Sequence, residues 1–162
     1  MPLETPNPHG ANHANARPDN APDSDLVARM QAAISDLSGN FLAWVRADMA
    51  ALEERWNLIK TGNEGLPEAF AIMFDIAHNM KGQGSTFGYP LLSRIANSLC
   101  RYLEWAGETK RGDLDLLRLH LDCLGAIVEH EIKGDGGALG LKLAEGLENA
   151  AARSRDGSKP AR

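Results

Sequence analysis

No apolar run in this chain approaches the ~20 residues needed to cross a bilayer. Clustered lysines and arginines are missing too, and the net charge is −5. A nucleic-acid binder needs such clusters to neutralise phosphates, so that class is not expected. The N-terminus lacks the charged start and apolar middle of a secretion signal. The expected setting is therefore the cytoplasm, with no membrane partner. The two cysteines, Cys100 and Cys123, are expected there as free thiols. His120 and Cys123 lie three apart, and Cys100 is the one further ligand in prospect. Without a CxxC pair or a second closely spaced pair, a zinc site is not expected. No stretch alternates apolar and polar residues as a half-buried strand does.

What is present reads as helix between two tails. The chain of 162 residues suits one domain with a single core. Residues 1–22 hold five of the eight prolines and almost nothing apolar, so this segment, with His9 and His13, is expected to be disordered. Residues 153–162 read as a basic flexible tail. In between, Asp23 to Asp25 offers an N-cap, and apolar residues recur at helical spacing through Leu26, Met30, Ile34 and Leu37. Ser38-Gly39-Asn40 breaks or bends this helix before it resumes from Phe41 to Ile59. Pro67 suits the first turn of a second helix running to about Phe87. Gly88-Tyr89-Pro90 opens a third, which Gly107 closes after Trp105. Asp113 caps a fourth reaching Gly134, and a short fifth spans 138–152. The expected fold over residues 23–152 is all-α, an antiparallel up-down four-helix bundle with a short extra C-terminal helix.

Two segments share one skeleton, HNMKGQGSTFG from His78 and HEIKGDGGALG from His130. At 100° per residue, Ala69, Met73, Ile76, Met80 and Phe87 fall within a sector of about 60°. His78 lies nearly opposite, with Phe74, Lys81, Gly82 and Ser85 on its side. An imidazole, an amine, a phenyl ring and a missing side chain make an unusual solvent face. Gly82 costs a helix about 1 kcal/mol relative to Ala, which suggests that another molecule must come close there. No Ser or Cys is spaced to use His78 as a base. A neutral imidazole can itself attack phosphorus, with Lys81 as a point charge for phosphoryl oxygens and Ser85 as a hydrogen-bond donor.

AHNMKGQGSTFGYPLLSRIANSLCRYLE, Ala77 to Glu104, resembles the signature of histidine-containing phosphotransfer domains, and the extended wording KGQGSTFGYPLL is similar to single-domain members from alphaproteobacteria. The resemblance covers the bundle, about residues 25–133. It implies a four-helix bundle that takes a phosphoryl group from a receiver-domain aspartyl phosphate, or from a kinase, and passes it to another receiver. His78 would then be the phosphoacceptor and Lys81 the phosphoryl stabiliser. Gly82 would leave room for the docking partner, with Phe74 and Ser85 on the docking face, and Gly88 would shape the turn. The chain would need no cofactor of its own, because the receiver would bring Mg2+. Cys100 stands where several family members carry an amide that hydrogen-bonds the other imidazole nitrogen.

In the second segment Glu129, Glu131 and Asp135 would oppose a phosphoryl group, and Gly136-Gly137 should end the helix. Lys133-Gly134 therefore reads as a helix end with a C-cap glycine, and His78 is preferred to His130. GDGGALGLKL hints at the glycine-rich box of histidine-kinase ATP domains, but no strand pattern accompanies it and the chain has no room for that domain. The expected role is a phosphorelay intermediate rather than an autonomous kinase. The alternative is a helical adaptor that docks a signalling partner, such as a hybrid histidine kinase, without phosphoryl transfer. An enzyme acting on a small molecule lacks a convergent acid-base set.

Overall fold

In the computed structural model, residues 23–157 are described, and among them the chain is all-helical with no strand. The predicted disorder of residues 1–22, His9 and His13 included, and the end of the basic tail lie outside the described residues. Five helices follow one another: α1 (Ser24–Lys60), α2 (Leu66–Gly84), α3 (Pro90–Thr109), α4 (Leu114–Glu129) and α5 (Gly137–Arg155). A 3-10 turn, Ser85–Phe87, joins α2 to the loop before α3.

The chain divides into two compact units, one up to Ser35 and one from Asp36 onward. The described part of the first is the opening of α1. Asp23 caps it through Oδ1, which accepts the N–H of Asp25 at 3.1 Å. Leu26, Met30 and Ile34 are all more than half exposed there.

The core lies in the second unit and is built from every helix. Phe41, Leu52, Met73, Met80, Leu99, Tyr102, Leu121 and Leu124 are among its fully buried members, and Ala144 and Leu147 add α5. The most extensive pairing is α2 with α3, and α3 also packs on α4 and α5. Phe41 of α1 stacks on Phe87 of the 3-10 turn, with ring centroids 4.6 Å apart. Arg118 of α4 grips Glu53 of α1 with two nitrogens, at 2.6 and 2.8 Å, and lies over the Trp56 ring.

Several helix ends depart from the sequence expectation. Ser38-Gly39-Asn40 does not interrupt α1, because isolated small residues weaken a helix without removing its backbone hydrogen bonds. Gly107 does not close α3, which continues to Thr109 and ends on Lys110 in the left-handed conformation. The fourth helix stops at Glu129, five residues before Gly134, and α5 runs three residues past 152 to Arg155. Asp113 does cap α4, its Oδ1 accepting the N–H groups of Asp115 and Leu116.

Candidate functional site

The site begins with the way α2 is anchored. Ala69, Met73, Ala77 and Met80 are buried along one stripe, which fixes the rotation of the helix about its axis. The same rotation turns His78 out to solvent, as its place opposite the stripe requires. Its ring stacks on half-buried Phe74, one turn earlier, with centroids 5.8 Å apart and planes 19° apart. No hydrogen bond to the imidazole exists among the described residues, so both ring nitrogens are open to a visitor.

Lys81 is half-buried rather than exposed. It leans toward α3, where its charge bears on Cys100. Burial pushes the Cys100 thiol up to about 11, with Lys81 opposing that rise and Glu104 adding to it. Cys100 is only 4 % exposed and makes no hydrogen bond to His78. The stack on Phe74 is the ring contact that the imidazole makes among the described residues.

Two glycines of the segment have different jobs. A Cβ built on Gly82 meets nothing within 4 Å, so no contact inside the protein requires glycine there. At Gly84 a Cβ would lie 2.5 Å from Ser93 Oγ and 3.0 Å from the Tyr89 carbonyl oxygen. Gly84 is therefore a close approach between the end of α2 and the start of α3. Ser93 uses that closeness: its hydroxyl donates to the Lys81 carbonyl at 2.8 Å and accepts the Ser85 N–H at 2.7 Å. The Lys81 carbonyl and the Ser85 N–H are an i, i+4 pair at the end of α2, so the Ser93 hydroxyl bridges them and acts as a cap from another helix. Ser85 itself is exposed beyond this cap. Gly88 closes the 3-10 turn at φ +86°, a conformation that glycine adopts without steric cost.

The second H-x-x-K-G segment is built otherwise. His130 is the C-cap of α4 and is exposed, and Lys133-Gly134 lies in the following loop instead of ending the helix. Gly134, at φ +69°, donates its N–H to the Gly88 carbonyl at 2.8 Å and accepts the Leu91 N–H at 3.2 Å. A Cβ on Gly136 would sit 2.7 Å from Leu91 Cδ2, and one on Gly140 would sit 2.4 Å from the Asp135 carbonyl oxygen. Glu131 is tied to Arg46 at 2.7 Å. The glycines of this segment fasten the α4–α5 loop to the turn that opens α3.

His120 belongs to neither segment and is fully buried. Its Nδ1 donates to the Leu116 carbonyl at 2.8 Å, which leaves Nε2 to accept from the Ser98 hydroxyl at 3.0 Å. The ring is thereby held neutral, and burial moves its pKa below the ordinary histidine range. With both nitrogens engaged, His120 is not available as a metal ligand beside Cys123. Among the described residues no group of three or more His, Cys, Asp or Glu is placed to hold a metal ion. No described helix is long and apolar enough to cross a membrane.

Comparison with protein-family models, with curated proteins and with solved structures finds no match for this chain. Ser93 and Gly84 are the working residues that sequence reasoning misses. Gly84 has a signal in its place within the glycine-rich run, whereas Ser93 has none beyond being a small polar residue amid an apolar helix start.

Proposed function

We propose that this chain is a phosphorelay intermediate of the histidine-containing phosphotransfer type. In this reading α1 to α4 form the antiparallel up-down bundle, and His78 carries the phosphoryl group. The order of contacts favours that arrangement: Arg46, Met49 and Glu53 ascend α1 while their partners Glu131, Gly125 and Arg118 descend α4. The observation that carries the function is an exposed imidazole with no internal hydrogen bond, seated on Phe74 and bordered by the open space at Gly82.

The chemistry follows from those parts. A receiver domain brings its aspartyl phosphate and its Mg2+ against the exposed face of α2. The lone pair of one imidazole nitrogen attacks phosphorus, the bond from phosphorus to the aspartyl oxygen breaks, and the carboxylate leaves with the electron pair. Lys81, one turn on, offsets charge on the phosphoryl oxygens. The product is an N-phosphorylated imidazole, a good leaving group for the reverse step onto a second receiver. Gly82 and Phe74 form the floor on which the visiting domain rests.

The test is phosphotransfer from a labelled receiver or hybrid kinase of the same organism. The label on this chain is expected to be acid-labile and base-stable, absent in His78→Gln and retained in His130→Gln. If no cognate donor labels the chain, the adaptor role replaces the relay.

A further inference from the structure

The arginines of the described chain fall into two groups. Arg29, Arg46, Arg55, Arg94 and Arg118 each pair with a carboxylate. Arg101, Arg111, Arg153 and Arg155 have no such partner among the described residues. All four sit in or just beyond the C-terminal halves of α3 and α5, in a protein whose overall charge is negative.

Three of these arginines face the space between α3 and α5. Two cavities of about 410 and 230 Å³ lie between α3 and α5 and share Arg155 in their walls. Arg101 and Trp105 are one turn apart on the α3 side, and Arg111 follows beyond the helix end. Glu148 also borders the groove and feels the charge of Arg101, but Arg94 holds its carboxylate with two nitrogens at 2.7 and 2.8 Å. One ordinary use for such arginines is to offset helix C-termini. Each of the two helix ends here carries only about half a negative charge. Those half-charges offset about one of the three positive charges, which stand beside a tryptophan that is not fully covered.

We propose that the groove between α3 and α5 binds a nucleotide, with the base against Trp105 and the phosphates on Arg101, Arg111 and Arg155. Guanidinium forks match phosphate oxygens in pairs, and an indole face stacks any base. The larger cavity falls within the usual size of small-ligand sites, about 300 to 1,000 Å³. An acidic peptide would satisfy the arginines and leave the tryptophan unused. The groove is on the α5 side of α3, whereas Lys81 and Cys100 meet between α2 and α3, so this inference does not rest on the phosphotransfer reading.

Titration calorimetry on the full chain tests it, with ATP, GTP, pyrophosphate, adenosine and an oligoglutamate peptide as probes. ATP or GTP is expected to bind about tenfold or more tightly than pyrophosphate, adenosine or the peptide. Arg111→Gln and Arg155→Gln should each weaken nucleotide binding about fivefold or more, while circular dichroism stays unchanged because both side chains reach solvent. Trp105→Leu should leave pyrophosphate affinity in place and remove the advantage of the nucleotide. Equal affinity for pyrophosphate and ATP would reduce the groove to a plain anion patch and overturn the proposal. Tighter binding of the peptide, indifference to both arginine substitutions, or no heat at millimolar nucleotide would overturn it as well.

Discussion

The two H-x-x-K-G segments place the same residues in opposite relations to the rest of the protein. In the first, the histidine sits mid-helix with nothing bonded to its ring, and Gly82 faces open space. In the second, the histidine caps a finished helix, Gly136 and Gly140 are pressed against Leu91 of α3, and Gly134 is hydrogen-bonded to Gly88. A spacing of residue types is thus compatible with a reactive surface or with a structural fastening. The matching glycines Gly82 and Gly134 are separated by backbone, since Gly82 is helical whereas Gly134 sits at φ +69° and is hydrogen-bonded to Gly88 and Leu91.

The sharpest way to break this contrast is to exchange the histidines. His78→Gln should abolish phosphoryl acceptance and His130→Gln should leave it intact, as measured by label transfer. Equal loss in both would make the segments functionally alike.

Giving Gly140 and Gly82 a methyl group is the next largest effect, and the two should differ in sign. Gly140→Ala forces a Cβ against the Asp135 carbonyl and should cost about 1–3 kcal/mol in urea denaturation. Gly82→Ala meets nothing and should stabilise the protein by about 1 kcal/mol through helix propensity. A destabilising Gly82→Ala would mean that the position serves the fold instead of a visitor.

Ser93 links the first segment to α3, and Ser93→Ala should cost about 1–2 kcal/mol by removing two hydrogen bonds that tie the end of α2 to α3. A neutral result would remove the cap from the account of how α2 ends.

The smallest effect concerns protons. His120 is buried and neutral, with a pKa lowered mainly by burial, so its share of stability is complete above about pH 6.5, the unfolded value. Below that the unfolded chain takes up a proton that the folded chain resists, and stability falls with pH. The urea midpoint should therefore decline from about pH 7 to 5.5, with a shallower slope in His120→Gln. An unchanged slope in His120→Gln would contradict the neutral, doubly bonded ring.

Much of the first segment is legible in the amino-acid sequence alone. Helical spacing puts the buried stripe of α2 on one side and His78 on the other, because rotation about a helix axis is set by local periodicity. Asp113 and Gly88 are legible for the same reason, since a cap and a left-handed turn are decided within a few residues. The second segment is not legible in this way. Gly134 looks like a helix end, yet its hydrogen bonds go to Gly88 and Leu91, more than forty residues away. The helical wheel places Lys81 in solvent, and its lean toward Cys100 depends on a neighbouring helix that a wheel does not contain. Gly107 gives a false stop because α3 is held to Thr109 by packing of Tyr102, Leu103 and Ala106, which outweighs one glycine's propensity.

Site mapping tests the central claim most directly. The chain is to be phosphorylated by a cognate receiver, kept at alkaline pH, digested and read by tandem mass spectrometry. The expected result is a single phosphoryl group on the residue 78 imidazole. Phosphorylation at residue 130, at another side chain, or at none after exposure to a loaded donor would contradict it.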